Sequence, residues 1–198
     1  MQISRRINLT GLGTLIFVLL ILAGVYSFAQ DKPKPQVFQA MARGTGEQLG
    51  RSYGVGVEVT IESYSSPEDK QILMDAFLKN GNQGLVNALK KMPVRGKLWF
   101  SGEVPYDITY IREFLTPNGR MIRLVTNRFV TLAERRGNAQ WAQDYSLSAL
   151  ELTLSTEKGK STGVFLPACQ FSMQENEIHV EPRENPWRLD DIREKEGK

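Results

Sequence analysis

The sequence predicts an α+β fold, with a mainly antiparallel sheet or partial barrel and a two-helix hairpin inserted after the first strand. Three observations predict it. Apolar residues alternate with polar ones over residues 55–61, two amphipathic helical patterns follow over residues 66–93, and strand patterns dominate residues 97–180. This order is typical of helices that pack on one face of an antiparallel sheet.

The first strand is the clearest of these elements. Its apolar side chains alternate with glycine and polar residues, and they are Val55, Val57, Val59 and Ile61. Strict alternation indicates a strand with one face on the core and the other in solvent.

Two helical patterns follow this strand. Ser66 is a good N-cap, and Pro67 suits the first position of a helix. Asn80 and Gly81 end the first helix, and Asn82 can cap a second one. The apolar face of the first helix consists of Ile72, Leu73, Ala76 and Phe77. We expect both helices to lie on the sheet, because they cannot bury their apolar faces on each other completely.

The best-defined hairpin of the sheet spans residues 106–126. A three-residue loop, with Pro117 and Asn118 in a type I turn and Gly119 left-handed, fits its sequence. The cross-strand pairs that this loop predicts are Ile111–Val125, Glu113–Arg123 and Leu115–Met121. Both faces of the hairpin carry apolar side chains. We therefore expect helices on one face and a second sheet layer or a barrel interior on the other.

The first 29 residues predict export. Arg5 and Arg6 precede an uncharged, mostly apolar run over residues 9–29, which ends in Ser27-Phe28-Ala29. A basic start, an apolar run and small residues at a cleavage site are typical of a signal peptide. The run is also long enough to span a bilayer, so an uncleaved anchor is the alternative. We expect a periplasmic or secreted protein, or one anchored in the inner membrane by residues 9–29.

The remaining chain is predicted to have three parts. Residues 30–52 are polar or glycine-rich and predict a linker or an irregular N-terminus. Residues 53–189 form the single α+β domain. Residues 190–198 are strongly charged and predict a frayed tail.

The charge balance argues against a nucleic-acid partner. The chain has 25 basic and 22 acidic residues, and loss of Arg5 and Arg6 with a signal peptide lowers its formal charge from +3 to +1. Nucleic-acid binding needs a basic patch, and the sequence has no long basic run. The predicted partner is a small anionic ligand or an envelope protein, with membrane contact only if the N-terminal segment is uncleaved.

Cysteine and histidine usage argues against a disulfide and a metal site. Cys169 is the single cysteine and His179 the single histidine. One cysteine excludes an internal disulfide, and its apolar neighbours predict a buried thiol. One thiol and one imidazole supply only two of the four ligands of a typical structural zinc site. We therefore predict no metal and no cofactor.

Ser52 lies in a G-x-S-x-G pattern at residues 50–54, which is typical of serine hydrolases. That mechanism requires a strand, a sharp turn that holds the serine, and then a helix. The strongest predicted strand follows Ser52 here, and His179 alternates with apolar residues as a solvent-facing strand residue does. We expect a protein without catalytic residues, and a small hydrolase that uses Ser52 and His179 is the alternative.

Arg112 is the main candidate for ligand binding. It shares an apolar face of the predicted hairpin, on which the expected register gives it no acid opposite. A buried arginine needs a partner, which can be an internal carboxylate, such as Asp107 or Asp144, or an anionic ligand. Tyr106 and Tyr110 would line the same space and complete the candidate site.

Several segments of the chain resemble an uncharacterised group of exported bacterial proteins. They are residues 65–77, 106–128 (YDITYIREFLTPNGRMIRLVTNR), 145–151, 159–167 (GKSTGVFLP) and 185–189 (NPWRL). The resemblance implies export and assigns no activity or site. Together with the residue patterns, it predicts an exported domain that acts as a non-catalytic binding or envelope-associated module.

Overall fold

The computed structural model describes residues 34–44, 54–130, 147–174, 177–183 and 185–195. These residues form an eight-stranded antiparallel barrel, a helical insertion and a separate two-stranded sheet. The elements are β1 (Gln36–Gly44), β2 (Gly54–Ile61), α1 (Pro67–Leu89), β3 (Gly96–Phe100), β4 (Tyr106–Thr116), β5 (Gly119–Thr126), β6 (Ala149–Ser155), β7 (Thr162–Leu166), β8 (Cys169–Gln174), β9 (Glu177–Pro182) and β10 (Trp187–Lys195). The predicted mainly antiparallel architecture is confirmed.

The barrel is closed in the order β1-β10-β7-β6-β5-β4-β3-β2, and in the described part of the chain β8 and β9 form a separate two-stranded sheet. The alternating valines form β2, and α1 follows directly after it, as predicted. Within the described part of the chain, no helix is long and apolar enough to cross a bilayer. The predicted signal segment, residues 1–29, lies outside the described residues.

Two strands of the barrel lie where the sequence predicts irregular structure or a tail. β1 falls within residues 30–52, and β10 extends to Lys195, past the start of the predicted tail. The two strands pair with each other and close the barrel, from Val37 opposite Lys195 to Gly44 opposite Trp187. The neighbouring strands satisfy the backbone hydrogen bonds of β1 and β10. Only the side chains on the inner faces of these strands must therefore be apolar.

The helical insertion is one kinked element, so the predicted pair of separate helices is not shown. Asn80 and Gly81 have non-helical backbone angles inside α1. The predicted start of α1 is confirmed: Ser66 Oγ accepts the Asp69 N–H at 3.2 Å, and the Asp69 carboxylate accepts the Ser66 N–H at 2.9 Å. Arg95 Nη2 lies 2.7 Å from the same carboxylate and links the start of α1 to the residue before β3.

Apolar side chains fill the inside of the barrel. Phe38, Phe100 and Phe165 are fully buried there, with Trp187 beside them. An eight-stranded barrel has an interior that is just wide enough for side chains to fill it. We call this set the inner core.

A second core lies outside the barrel, between α1, the outer face of β4 and β5, and the β8–β9 hairpin. Its buried residues are Leu73, Met74, Leu85, Val86, Leu89, Tyr110, Val125, Leu147, Ala149, Leu166, Cys169, Phe171 and Ile178. We call this set the outer core. The two cores explain why both faces of the β4–β5 hairpin are apolar, as the sequence suggested.

The register of the β4–β5 hairpin differs from the predicted one by a single residue. Thr116 lies opposite Gly119, so the loop has two residues and not three. The observed pairs include Tyr110–Val125, Ile111–Leu124, Arg112–Arg123 and Glu113–Ile122. Arg120 supplies the basic partner of Glu113, at 2.7 Å, so the acid–base match that favoured the predicted register is met in another way.

Candidate functional site

A cluster of charged side chains lies where α1, β4 and β9 meet outside the barrel. Arg112 lies on the outer face of β4, Lys70 belongs to the beginning of α1, and Glu177 is the first residue of β9. Three elements that are far apart in sequence therefore bring two cations and one carboxylate together.

Arg112 has only a weak ionic partner in this cluster. Its Nη2 lies 3.9 Å from Glu177 Oε1, which is beyond hydrogen-bond distance. The same carboxylate oxygen accepts a hydrogen bond from Lys70 Nζ. The Nε of Arg112 is buried and has no hydrogen-bond acceptor among the described residues. The guanidinium group thus has unused donors, while 23% of the side chain is exposed to solvent.

The neighbour of Arg112 across the sheet is another arginine, Arg123. Like charges directly opposite each other destabilise a sheet unless other groups compensate. Arg123 has such groups: its Nε lies 2.6 Å from Glu151 Oε1, and its Nη1 donates to the Ile178 carbonyl at 2.9 Å. The ring of Phe114 lies near both guanidinium groups, 5.8 Å from Arg112 and 5.2 Å from Arg123, in cation–π range.

Tyr110 is buried beside this arginine pair. Its burial raises the pKa of the phenol to about 12, against the opposing influence of the nearby Arg112 charge. The phenol is therefore neutral at physiological pH. Tyr110 thus lies on the same outer face of β4 as Arg112.

Tyr106 does not belong to the site, which corrects the prediction. It lies in the inner core, where its ring packs edge-on against Phe100 at 6.5 Å, and the guanidinium of Arg128 lies 4.5 Å from its ring centre. The cause is a bulge in β4 between Ile108 and Tyr110, at Thr109. One extra residue reverses the alternation of side chains, so Tyr106 and Tyr110 point to opposite sides of the barrel wall.

Asp107, one of the two acids that the sequence suggested for Arg112, is not its partner in the described structure. Asp107 pairs with Lys97 on the neighbouring strand. Asp144 lies outside the described residues. Among the described residues, the nearest carboxylate is that of Glu177. No local pattern selects it, because its strand reaches β4 only through the outer core.

The alternative catalytic pair is not assembled in the described part of the chain. Ser52 lies outside it. The segment that follows the G-x-S-x-G pattern is β2, whereas the hydrolase mechanism requires a helix there. His179 lies in β9 directly opposite Ser172.

Cys169 is a buried residue of the outer core, as predicted. Burial raises the pKa of its thiol, and the Sγ lies 3.4 Å from the Leu147 carbonyl oxygen. A buried thiol of this kind is inert. Among the described residues, no three histidine, cysteine or acidic side chains are grouped so that they could hold a metal ion.

Lys70, Glu177 and Arg123 are the site residues that sequence reasoning missed or placed differently. The one sequence signal was the excess of arginines in the β4–β5 hairpin.

Comparison with protein-family models, with curated protein sequences and with solved structures finds no match. A functional assignment therefore depends on the geometry of this cluster.

Proposed function

We propose that this protein is an exported, non-catalytic binding module that holds a small carboxylate or similar oxyanion at Arg112. The contacts of the Arg112 side chain support this proposal. Among the described residues, Arg112 faces another arginine, lies 3.9 Å from its nearest carboxylate, and keeps a buried Nε without an acceptor. A guanidinium group with unused N–H donors can bind both oxygens of a carboxylate through two parallel hydrogen bonds.

The charges around Arg112 favour an anion. Lys70, Arg112 and Arg123 supply three positive charges, whereas Glu177 and Glu151 supply two negative ones. A bound anion would balance this excess and relieve the repulsion between the two arginines. Phe114 and the neutral Tyr110 phenol would border the anion on the apolar side.

The barrel interior offers a less suitable place for such a ligand. The described residues that line it are almost all apolar and buried. An anion there would lose its hydration without gaining a charged partner. The ligand site that we propose is therefore on the outside of the barrel.

The test is a titration with acetate, succinate and inorganic phosphate, followed by NMR of the Tyr110 and Phe114 rings. We expect saturable shifts that disappear in Arg112→Met. Arg120→Met removes the same charge from the same hairpin, near the turn, and should retain the shifts. Equal responses of the two variants would mean that the anions bind by general charge attraction, and the proposal would be wrong.

Export is the second part of the proposal, and its support is the N-terminal sequence. In a bacterial host the mature protein should begin at Gln30, because Ser27-Phe28-Ala29 provides the cleavage site. N-terminal sequencing of the periplasmic or secreted fraction checks this. Full-length protein in washed membranes would support the anchor formed by residues 9–29, and protein in the cytosol would contradict export.

We also propose that α1 consists of two helices that form a hairpin. Its support is the break at Asn80 and Gly81, together with a close approach between the segments on either side. A Cβ atom on Gly84 would lie only 2.0 Å from the carbonyl oxygen of Ala76. Residues eight positions apart in a continuous helix would be about 12 Å apart along its axis. NOEs between Ala76 and Gly84 test this arrangement.

A further inference from the structure

A groove of about 690 Å³ runs along α1. Residues from both sides of the Asn80–Gly81 break line it, together with residues that follow the end of α1. Its apolar or small lining residues are Ile72, Ala76, Gly84, Ala88, Met92 and Pro93. We call it the α1 groove. Its volume falls in the range of roughly 300–1,000 Å³ that is typical of small-molecule sites.

The shape of the α1 groove is fixed by small residues. Gly84 lies so close to the Ala76 carbonyl that no side chain fits between them. Away from this contact, the side chain of Ile72 remains 53% exposed, although residues of this type are usually buried. The groove therefore presents an apolar surface that the described part of the protein does not cover.

The charges along the α1 groove are positive. Lys79 and Lys91 line it, and neither forms an ion pair within the described residues. Asp69 is the one acidic residue of its lining, and its carboxylate is already held by Arg95 Nη2 at 2.7 Å and by the Ser66 N–H at 2.9 Å. An apolar surface with free ammonium groups suits a ligand that has an apolar body and an anionic group.

We propose that the α1 groove binds an unbranched aliphatic carboxylate. The chain would cover Ile72, Ala88 and Met92, and the carboxylate would pair with Lys79 or Lys91. Burial of the chain would provide most of the affinity, because an exposed ion pair contributes little by itself. A cationic amphiphile would meet like charge, and a small anion without a chain would leave the apolar surface in water.

Dodecanoate, below its micelle concentration, is the probe for this site. It is titrated into the full-length protein with labelled methionine methyl groups, and the Met92 methyl reports on the groove. We expect a saturable shift of Met92, with Met121 and Met173 unaffected. Acetate and dodecyltrimethylammonium should give no saturable shift of Met92. Because Met92 lies in the α1 groove, an acetate response at the arginine pair is measured separately through Tyr110 and Phe114.

Matched lysine variants make the test decisive. The double variant Lys79→Gln/Lys91→Gln should weaken dodecanoate binding by about three- to fivefold. Lys90→Gln removes the same charge from an exposed neighbour outside the groove lining and should change binding by less than about twofold. Ala76→Leu fills the groove and should also weaken binding, if circular dichroism shows that it folds. The proposal is overturned if the double variant binds dodecanoate normally, or if the cationic amphiphile binds equally well.

Discussion

Arg112 and Arg123 show how two identical residues in one sheet differ in their surroundings. They lie directly opposite each other on the outer face of the barrel. Arg123 is held by the Glu151 carboxylate and by the Ile178 carbonyl, and only 15% of its side chain is exposed. Among the described residues, the carboxylate nearest to Arg112 is that of Glu177, at 3.9 Å, and Lys70 shares it. Arg123 is therefore held by two partners, whereas Arg112 keeps a buried Nε without an acceptor among the described residues.

This difference predicts unequal losses of stability. Arg123→Met should lower the free energy of unfolding by about 2–4 kcal/mol, because Glu151 loses its partner and the Ile178 carbonyl loses a donor. Arg112→Met should lower it by less than about 1 kcal/mol, since Glu177 keeps Lys70 and the repulsion between the arginines disappears. Urea unfolding of both variants measures the two values. A larger loss for Arg112→Met would show that Arg112 is held for structure rather than for a ligand.

The local sequence could place part of this site and not the rest. Arg112, Tyr110 and Phe114 share a face because they alternate after the bulge at Thr109, and alternation is a local property. Tyr106 precedes the bulge, and no residue type in the segment indicates where the extra residue lies. Glu177 comes from β9, whose position depends on packing in the outer core. Contacts of this kind depend on the whole fold, so a local pattern does not reveal them.

The same limit applies to the elements. β2 was predicted because four apolar side chains alternate along it, and α1 because its capping residues are in sequence order. β10 has few inward apolar residues, and its pairing with β1 shifts between Gln39 and Met41, near a positive φ at Asp191. A strand with an irregular register and charged outer residues resembles a tail in sequence. The predicted register of the β4–β5 hairpin differs from the observed one by one residue. Loops of two and of three residues both give Glu113 a basic partner, so the acid–base match could not distinguish them.

The β8–β9 hairpin lies outside the barrel, and side chains cover the backbone at both of its edges. At β8, the side-chain amide of Asn82 donates to the Phe171 carbonyl at 3.1 Å and accepts the Phe171 N–H at 2.8 Å. At β9, Arg123 donates to the Ile178 carbonyl. Unpaired strand edges invite association with other chains. These contacts attach the hairpin to α1 and to β5, and they also protect its edges.

Asn82 should therefore matter more than its position on α1 suggests. Asn82→Ala leaves the backbone N–H and carbonyl of Phe171 without partners, which should cost about 1–3 kcal/mol of unfolding free energy. Gln83→Ala removes an exposed amide next to it and should cost less than about 0.5 kcal/mol. Urea unfolding gives the free energies, and hydrogen exchange of the Phe171 amide should be faster in Asn82→Ala. Equal losses in the two variants would contradict the role of Asn82 as an edge cap.

At the scale of the whole molecule, the two cores share one wall. Adjacent residues in β4, β5 and β6 point alternately into the inner and the outer core, as Ile111 and Tyr110 do in β4. The wall therefore cannot lose its outer layer without exposing the outer faces of three barrel strands. The barrel and the layer formed by α1, β8 and β9 are thus expected to stabilise each other and to unfold as one unit.

Two internal probes test this cooperativity. Trp187 reports on the inner core and Cys169 on the outer core, and both are buried. In a protein with Trp99→Phe and Trp141→Phe, Trp187 provides the fluorescence signal, while pulse labelling with a thiol reagent measures exposure of Cys169. We expect the two urea transitions to have the same midpoint, because Cys169 becomes reactive only when the shared wall opens. Labelling of Cys169 at urea concentrations where the Trp187 signal is still native would show that the outer layer separates first. The charged cluster around Arg112, to which β9 contributes Glu177, would then come apart before the barrel unfolds.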